Sequence, residues 1–120
     1  MKKVLIIKPI HESGINLLKE NINFEYEIID NVEEDYLKTK IKDFDAITVR
    51  TSNLSKEIID SAKNLKVISR HGVGYDNIDL EATKQNNITL AITATSNAQA
   101  VAEHVLFMLF SIAKRNNMYN

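Results

Sequence analysis

The 120-residue sequence contains no cysteine, only one proline and only three glycines. The absence of cysteine excludes disulfides and thiolate metal sites, and it is typical of proteins from a reducing cytoplasm. The 15 lysines and arginines are balanced by 16 acidic residues and form no basic stripe, so we expect no nucleic-acid partner. No apolar run approaches the roughly 18 residues that a membrane-spanning helix needs. We therefore also expect no membrane contact.

Apolar runs and amphipathic segments alternate along the chain. Continuous or alternating apolar residues predict strands at 4–7, 24–29, 45–49, 67–68 and 88–92. Helical spacing of apolar residues predicts helices at 11–21, at 33–42, from Ser55, at 80–85, and from Ser96 or Asn97 to about Arg115. This alternation favours a single α/β domain, a sandwich in which helices cover both faces of a parallel sheet.

The most informative segment, residues 70–79, reads RHGVGYDNID and follows a predicted strand. We call it the glycine turn. Its two glycines, one residue apart, allow backbone conformations that are closed to other residues. Successive N–H groups in such a turn can point into one hollow and bind an anion. The side-chain oxygens of Asp76, Asn77 and Asp79 can each cap the helix that follows. We expect a carboxylate or phosphate to bind here.

A second candidate segment follows the third predicted strand. Ligands of parallel sheets bind outside the carboxyl ends of the strands, and Arg50 and Thr51 lie at that edge together with the glycine turn. A guanidinium group can form a paired hydrogen bond with a carboxylate, so we predict that Arg50 helps to bind a small acid. The alternative interpretation of Arg50 is an ordinary surface salt bridge.

The last predicted helix is apolar on almost every side, with a narrow polar stripe over residues 98–113. A helix of this kind belongs inside a protein or in an interface. One sheet face cannot cover all of its surface. We therefore predict that another subunit, or further chain, packs against it.

Two segments resemble the NAD-dependent D-2-hydroxyacid dehydrogenases, in particular the D-3-phosphoglycerate dehydrogenase branch. The glycine turn is similar to the conserved turn of that family, and residues 96–104, SNAQAVAEH, resemble its N-x-x-x-V-A-E-H helix start. Arg50 and Thr51 stand where the branch has an arginine followed by a small hydroxyl residue. The resemblance covers the whole chain, with its motifs in the right order.

The resemblance implies a flavodoxin-like three-layer sandwich with a five-stranded parallel sheet, plus a long apolar C-terminal helix. Residues 1–95 would form the substrate-binding domain. Residues 96–120 would form a crossover helix toward a Rossmann NAD-binding domain that is absent from this chain, and the helix over 97–113 would also be a homodimer interface. The family's cofactor fingerprint and its catalytic arginine, glutamate and histidine lie beyond this helix. We therefore expect a fragment that has no catalytic residue of its own and is inactive alone.

The resemblance also implies how the substrate is bound. Val73 and Gly74 would offer backbone N–H groups to its carboxylate. Arg50, Thr51 and Asn97 would hold the rest of the molecule, including a phosphate group if it has one. The implied activity of the intact protein is reversible hydride transfer between NAD and a small D-2-hydroxy acid, with a 2-oxo acid as the partner compound. The 3-phosphoglycerate-like branch implies serine biosynthesis in the cytoplasm.

For the cofactor, the resemblance implies one contact in this chain: Val101 would face the nicotinamide, while the absent domain would bind most of the NAD. The three histidines, His11, His71 and His104, are not spaced as paired metal ligands, so we predict no metal site. His71 and His104 belong to the two motifs, and we assign neither of them a catalytic role.

Two other interpretations stay open, a decayed dinucleotide fingerprint and an interaction module, while the residues argue against a phospho-receiver and a flavodoxin. The glycine turn contains G-x-G-x-x-N, which could be a decayed dinucleotide fingerprint, although its third glycine and a ribose-binding acid about 20 residues later are missing. A phospho-receiver domain would need acidic residues where Pro9 and Arg50 stand. A flavodoxin would need a hydroxyl-rich phosphate loop after the first strand, and residues 8–12, KPIHE, contain no hydroxyl side chain. A non-catalytic module that dimerises through its last helix is the main alternative.

Overall fold

The computed structural model describes residues 1–114, so the predicted helix end at Arg115 lies outside the described residues. The strands are β1 Lys2–Ile7, β2 Phe24–Ile29, β3 Ala46–Val49, β4 Val67–Arg70 and β5 Thr89–Ile92. The helices are α1 Glu12–Lys19, α2 Glu34–Lys40 with a 3-10 turn Ile41–Asp43, α3 Lys56–Ser61, α4 Leu80–Gln85 and α5 Ala98–Ala113. The predicted strands and the first four predicted helices are confirmed, with small shifts at their ends.

All five strands are parallel and lie in the order β2-β1-β3-β4-β5, which is the order of flavodoxin-like sheets. Ile7 pairs with both Ile29 and Val49, Val49 pairs with Arg70, and Arg70 pairs with Ile92. This register places the carboxyl ends of the strands in one row. The chain leaves β1 toward one side of the sheet and β3 toward the other, so the topological switch point lies between them.

The main core lies between the sheet and helices α2, α3 and α4. Strand residues Leu5, Ile47 and Ile68 are fully buried there, and they pack in one cluster with Leu37 of α2 and Ile59 of α3. Burying an aliphatic side chain of this size contributes roughly 1.5–3 kcal/mol. This cluster fixes the sheet and therefore the positions of the loops at its carboxyl edge.

The opposite face of the sheet carries a smaller cluster. Val4 and Ile6 of β1 alternate with the residues of the main core, and they pack against Ile15 of α1. Among the helices of residues 1–114, α1 is the one that contributes buried residues to this face. The prediction of helices on both faces is therefore confirmed, but the two faces are covered very unequally.

Helix α5 extends away from the sheet, and none of its side chains is buried by the rest of the described chain. Its aromatic side chains Phe107 and Phe110 are 62% and 61% exposed. Within residues 1–114, no helix has the length and hydropathy of a membrane span.

Candidate functional site

Three loops begin side by side at the carboxyl edge of the sheet. Lys8 follows β1, Arg50 follows β3 and His71 follows β4. The Lys8 N–H donates to the carbonyl of Ile29 at 2.8 Å, and the His71 N–H donates to the carbonyl of Val49 at 2.8 Å. The strand ladders thus continue one residue into the loops. Because neighbouring strands lie about 4.8 Å apart, the three loops start within about 10 Å of one another.

The two glycines of the glycine turn have different surroundings. Gly72 has a φ of 149°, a conformation that favours glycine, and a Cβ on it would clash with the guanidinium group of Arg70. A Cβ on Gly74 would meet its nearest neighbour, the carboxylate of Asp76, only at 3.9 Å. The backbone conformation therefore favours glycine at position 72, and a Cβ there would also displace the guanidinium group of Arg70, whereas Gly74 leaves open space beside the chain.

The open side of the turn offers backbone donors. No hydrogen bond formed within residues 1–114 uses the N–H of Val73 or of Gly74. The Val73 side chain is 38% exposed, so this part of the turn is accessible. Two adjacent N–H groups of this kind can bind both oxygens of one carboxylate.

The loop over residues 50–53, which we call the Arg50 loop, lies next to the glycine turn. Arg50 and Thr51 are exposed. No ion pair within the described part of the chain uses the Arg50 guanidinium, so the surface salt bridge considered above is not found there. The loop ends at Leu54, a fully buried residue that anchors it to the core.

Backbone and side-chain hydrogen bonds join the two loops. The Leu54 N–H donates to the carbonyl of Asn77 at 2.8 Å, and the Asp79 N–H donates to the carbonyl of Leu54 at 3.1 Å. The amide of Asn77 donates to the carbonyls of Ser52 at 2.7 Å and Arg50 at 3.5 Å. These hydrogen bonds join the two loops into one unit. The sequence analysis placed both loops at the same edge of the sheet but did not predict the bonds between them.

Of the three oxygens predicted to cap the helix after the turn, one does so. Asp79 is the N-cap residue of α4, and its carboxylate accepts from the N–H of Ala82 at 2.8 Å. The side-chain oxygen of Asn77 accepts from the Nε of Arg70 instead, and its amide nitrogen donates to the Arg50 loop. Asp76 keeps its carboxylate near Gly74.

Asn97 and Val101 lie on the segment that follows β5. The Thr93 N–H donates to the carbonyl of Gly72 at 3.0 Å, so this segment starts beside the glycine turn. The prediction that Ser96 or Asn97 caps the last helix needs correction. Asn97 occupies the N-cap position, but its side chain makes no cap hydrogen bond, and Ser96 donates to the carbonyl of Thr93. The Asn97 amide is therefore not used as a cap. Val101 is 53% exposed.

A cleft of about 470 Å³ opens on the less covered face of the sheet, below the glycine turn. Its polar lining consists of two histidines named above, His11 and His71, and four hydroxyl residues that the sequence analysis did not name: Ser13, Thr48, Ser69 and Thr93. Successive side chains of a strand point to opposite faces of the sheet. Because Ile47 and Ile68 face the core, Thr48 and Ser69 face this cleft, and the alternation in the sequence could have identified them. Within residues 1–114, no three histidine, aspartate or glutamate side chains lie close enough together to hold a metal ion.

Acidic side chains surround the start of helix α4, which follows the glycine turn. Helix α4 has only six residues and carries Glu81 in its first turn. Asp76 and Asp79 stand between the glycines and this helix. Their negative charges, together with that of Glu81, oppose a pyrophosphate at the start of this helix.

With this geometry established, comparison with known proteins decides the family. The family model for the catalytic domain of D-isomer specific 2-hydroxyacid dehydrogenases matches residues 4–118. The chain belongs to this family. The resemblance seen in the two sequence motifs is thereby confirmed.

Individual relatives agree with this assignment. The D-3-phosphoglycerate dehydrogenase of Archaeoglobus fulgidus is 34% identical over 114 residues, which are 94% of this chain and 21% of that protein. The D-3-phosphoglycerate dehydrogenase of Methanocaldococcus jannaschii is 35% identical over 115 residues, 95% of this chain and 22% of that protein. The chain also matches putative 2-hydroxyacid dehydrogenases of Staphylococcus species, and it spans 37% of the length of those proteins. It therefore covers well under half of each of these relatives.

Solved structures share the fold. The NAD+-bound 3-phosphoglycerate dehydrogenase of Entamoeba histolytica superposes with a TM-score of 0.75 at 32% identity, over 92% of this chain and 38% of that one. The PH0520 protein of Pyrococcus horikoshii gives a TM-score of 0.86 at 30% identity, over 96% of this chain and 34% of that one.

Proposed function

We propose that this chain is the substrate-binding part of an NAD-dependent D-2-hydroxyacid dehydrogenase and binds a small 2-hydroxy or 2-oxo acid at the carboxyl edge of its sheet. The observation that supports this best is the pair of N–H groups at Val73 and Gly74, which are unused within residues 1–114 and belong to the turn that Asn77 and Asp79 join to the Arg50 loop. The named relatives favour a substrate similar to 3-phosphoglycerate.

In this proposal each group has a stated task. The N–H groups of Val73 and Gly74 bind the carboxylate, where charge-assisted hydrogen bonds are short and strong. The guanidinium of Arg50 neutralises the acid, and Thr51 and Asn97 bind its remaining oxygen atoms or its phosphate. The exposure of Arg50 and Thr51 leaves both side chains free to approach such a ligand.

The proposal divides the work between two domains. Residues 1–95 form the substrate-binding domain, and residues 96–120 lead toward a Rossmann domain that binds most of the NAD. When bound, NAD accepts or returns the hydride. Val101, an exposed apolar side chain near the start of α5, would contact the nicotinamide. The contribution of this chain is to hold and orient the acid, which lowers the entropic part of the barrier. We expect no turnover from these 120 residues alone.

The proposal includes a homodimer formed through the helix over residues 97–113. The apolar side chains of α5 are exposed as a contiguous surface, and surfaces of this kind mark association sites. The same observation favours the second candidate function, a non-catalytic module that dimerises without binding an acid. A cytoplasmic location and a place in serine biosynthesis belong to the first proposal and rest on the resemblance to the named dehydrogenases.

A binding titration separates the two candidates. The ¹⁵N-labelled chain is titrated with 3-phosphoglycerate, and the amide signals of Val73 and Gly74 are followed by NMR. We expect saturable shifts at both amides. Arg50→Ala should weaken binding about tenfold, since it removes a charged hydrogen-bond donor. Lys66→Ala, which removes a positive charge before β4 at the opposite edge of the sheet, is the control and should bind as wild type does. Unshifted Val73 and Gly74 signals at saturating acid would favour the interaction module.

A further inference from the structure

Asn77 has a role that its position before α4 does not suggest. Its amide nitrogen donates to the carbonyl of Ser52 at 2.7 Å, and the carbonyl of Arg50 lies at 3.5 Å. These partners are 25 and 27 residues away in the sequence. The side chain therefore spans from the glycine turn to the Arg50 loop.

Arg70 fixes the orientation of this amide. The Arg70 Nε donates to the Asn77 side-chain oxygen at 3.2 Å. A guanidinium group has donors only, and backbone carbonyls are acceptors only, so the amide can satisfy both sides in a single orientation. The guanidinium also donates to the carbonyl of His71 and lies against Gly72. Arg70 is thus folded onto the turn, where it supports Asn77.

We propose that Asn77 is a positioning residue that sets the distance between the Arg50 loop and the N–H groups of Val73 and Gly74. This inference rests on the proposed function, because it assigns Asn77 to the two loops that would hold the acid. The affinity for an acid that contacts both loops depends on the distance between them. The affinity for a small anion that contacts only the glycine turn does not depend on this distance. Asn77 therefore affects affinity for the larger acid selectively.

The test uses a substitution that keeps the size of the side chain. Asn77→Asp keeps an oxygen for Arg70 but replaces the N–H donors with a second oxygen, which repels the carbonyls of Ser52 and Arg50; it also adds a negative charge, so a second variant without added charge accompanies it. The matched control is Asn64→Asp, because Asn64 also donates from its amide to a carbonyl in another segment, that of Lys42 at 3.3 Å. Each variant is titrated by NMR with 3-phosphoglycerate, which has two anionic ends, and with acetate, which has one.

We expect Asn77→Asp to weaken 3-phosphoglycerate binding about five- to tenfold and to leave acetate binding within about twofold. Without ligand, its Leu54 amide should exchange hydrogen faster, because the bond to the Asn77 carbonyl is loosened. Asn64→Asp should match wild type in both titrations. Arg70→Lys removes the Nε donor to Asn77 without changing the net charge. It should repeat the selective loss; if only Asn77→Asp shows the loss, charge repulsion and not positioning is its cause. Arg70→Lys also serves as the test if Asn77→Asp does not fold.

Two different failures can be told apart. If wild type binds both acids and Asn77→Asp binds 3-phosphoglycerate equally well, or loses both acids equally, the positioning role is refuted while the proposed acid site stands. If wild type binds neither acid at Val73 and Gly74, the proposed function is refuted, and this inference falls with it.

Discussion

The body of the sheet and helix α5 contain the same kinds of side chain in opposite surroundings. Ile47 and Ile68 in the sheet are fully buried by α2, α3 and α4, whereas Leu109 and Phe110 of α5 are 58% and 61% exposed. Within residues 1–114, helices cover the main face of the sheet, whereas nothing covers α5. This difference suggests a test: the covered region should govern the stability of the fold, and α5 is the surface through which we propose that the chain associates.

The largest expected effect is in the buried region. Ile47→Ala leaves a cavity in the core, so we expect the free energy of unfolding to fall by about 2–5 kcal/mol. Leu109→Ala, an exposed counterpart on α5, should change it by about 0.5 kcal/mol or less once the chain is dilute enough to be monomeric. Urea unfolding at several chain concentrations tests this, because an effect exerted through a dimer depends on concentration. Equal losses for the two variants in dilute solution would show that α5 packs on the body.

The next effect concerns association. Leu106 is 51% exposed on α5, and Leu106→Asp would bury a charge in an apolar dimer contact, which is costly. We expect the dissociation constant of the dimer to rise at least tenfold, as measured by analytical ultracentrifugation. Leu17→Asp is the matched control, since Leu17 is 70% exposed on α1; its dimer should dissociate as wild type does. A monomeric mass for wild type at micromolar concentration would refute the proposed dimer.

The smallest effect is electrostatic and belongs to the body alone. The ammonium of Lys2, which donates to Asp45 at 2.8 Å, and the N–H of Lys3 hold the pKa of the Asp45 carboxyl below its usual range. A lowered pKa in the folded state stabilises the fold above the ordinary pKa of an aspartate, and this stabilisation is lost as the pH falls through the folded-state pKa.

We therefore expect Asp45→Asn to lower stability at pH 7 and to flatten its decline below about pH 4. Thermal unfolding at several pH values is the measurement. Asp30→Asn is the control, because its carboxylate is 79% exposed and 4.0 Å from its nearest lysine partner. If the stability of Asp45→Asn depended on pH as that of wild type does, the Lys2–Asp45 ion pair would not contribute to the stability of the fold.

Several features of the site were accessible from sequence because they are local. The two closely spaced glycines identified the turn, and Asp79 lies three residues before the N–H that it caps. Arg50 was placed at the correct edge because it directly follows a strand in the sequence. Such features depend on spacings of a few residues, which a pattern reports directly.

The remainder required the tertiary structure. The sequence could not tell which of Asp76, Asn77 and Asp79 would cap α4, since all three have suitable oxygens. The choice depends on the Arg50 loop, which pairing between β3 and β4 brings next to Asn77. The different demands on Gly72 and Gly74 also depend on where the Arg70 side chain lies.

The sequence by itself determined the strands, the first four helices, the glycine turn and the family, because periodicity and short motifs are local properties of the chain. The tertiary structure decided the strand order, the unequal cover of the two sheet faces and the link between the two loops. Those features arise from contacts between residues tens of positions apart, such as Asn77 and Ser52. Their geometry is set by how the whole sheet packs against its helices.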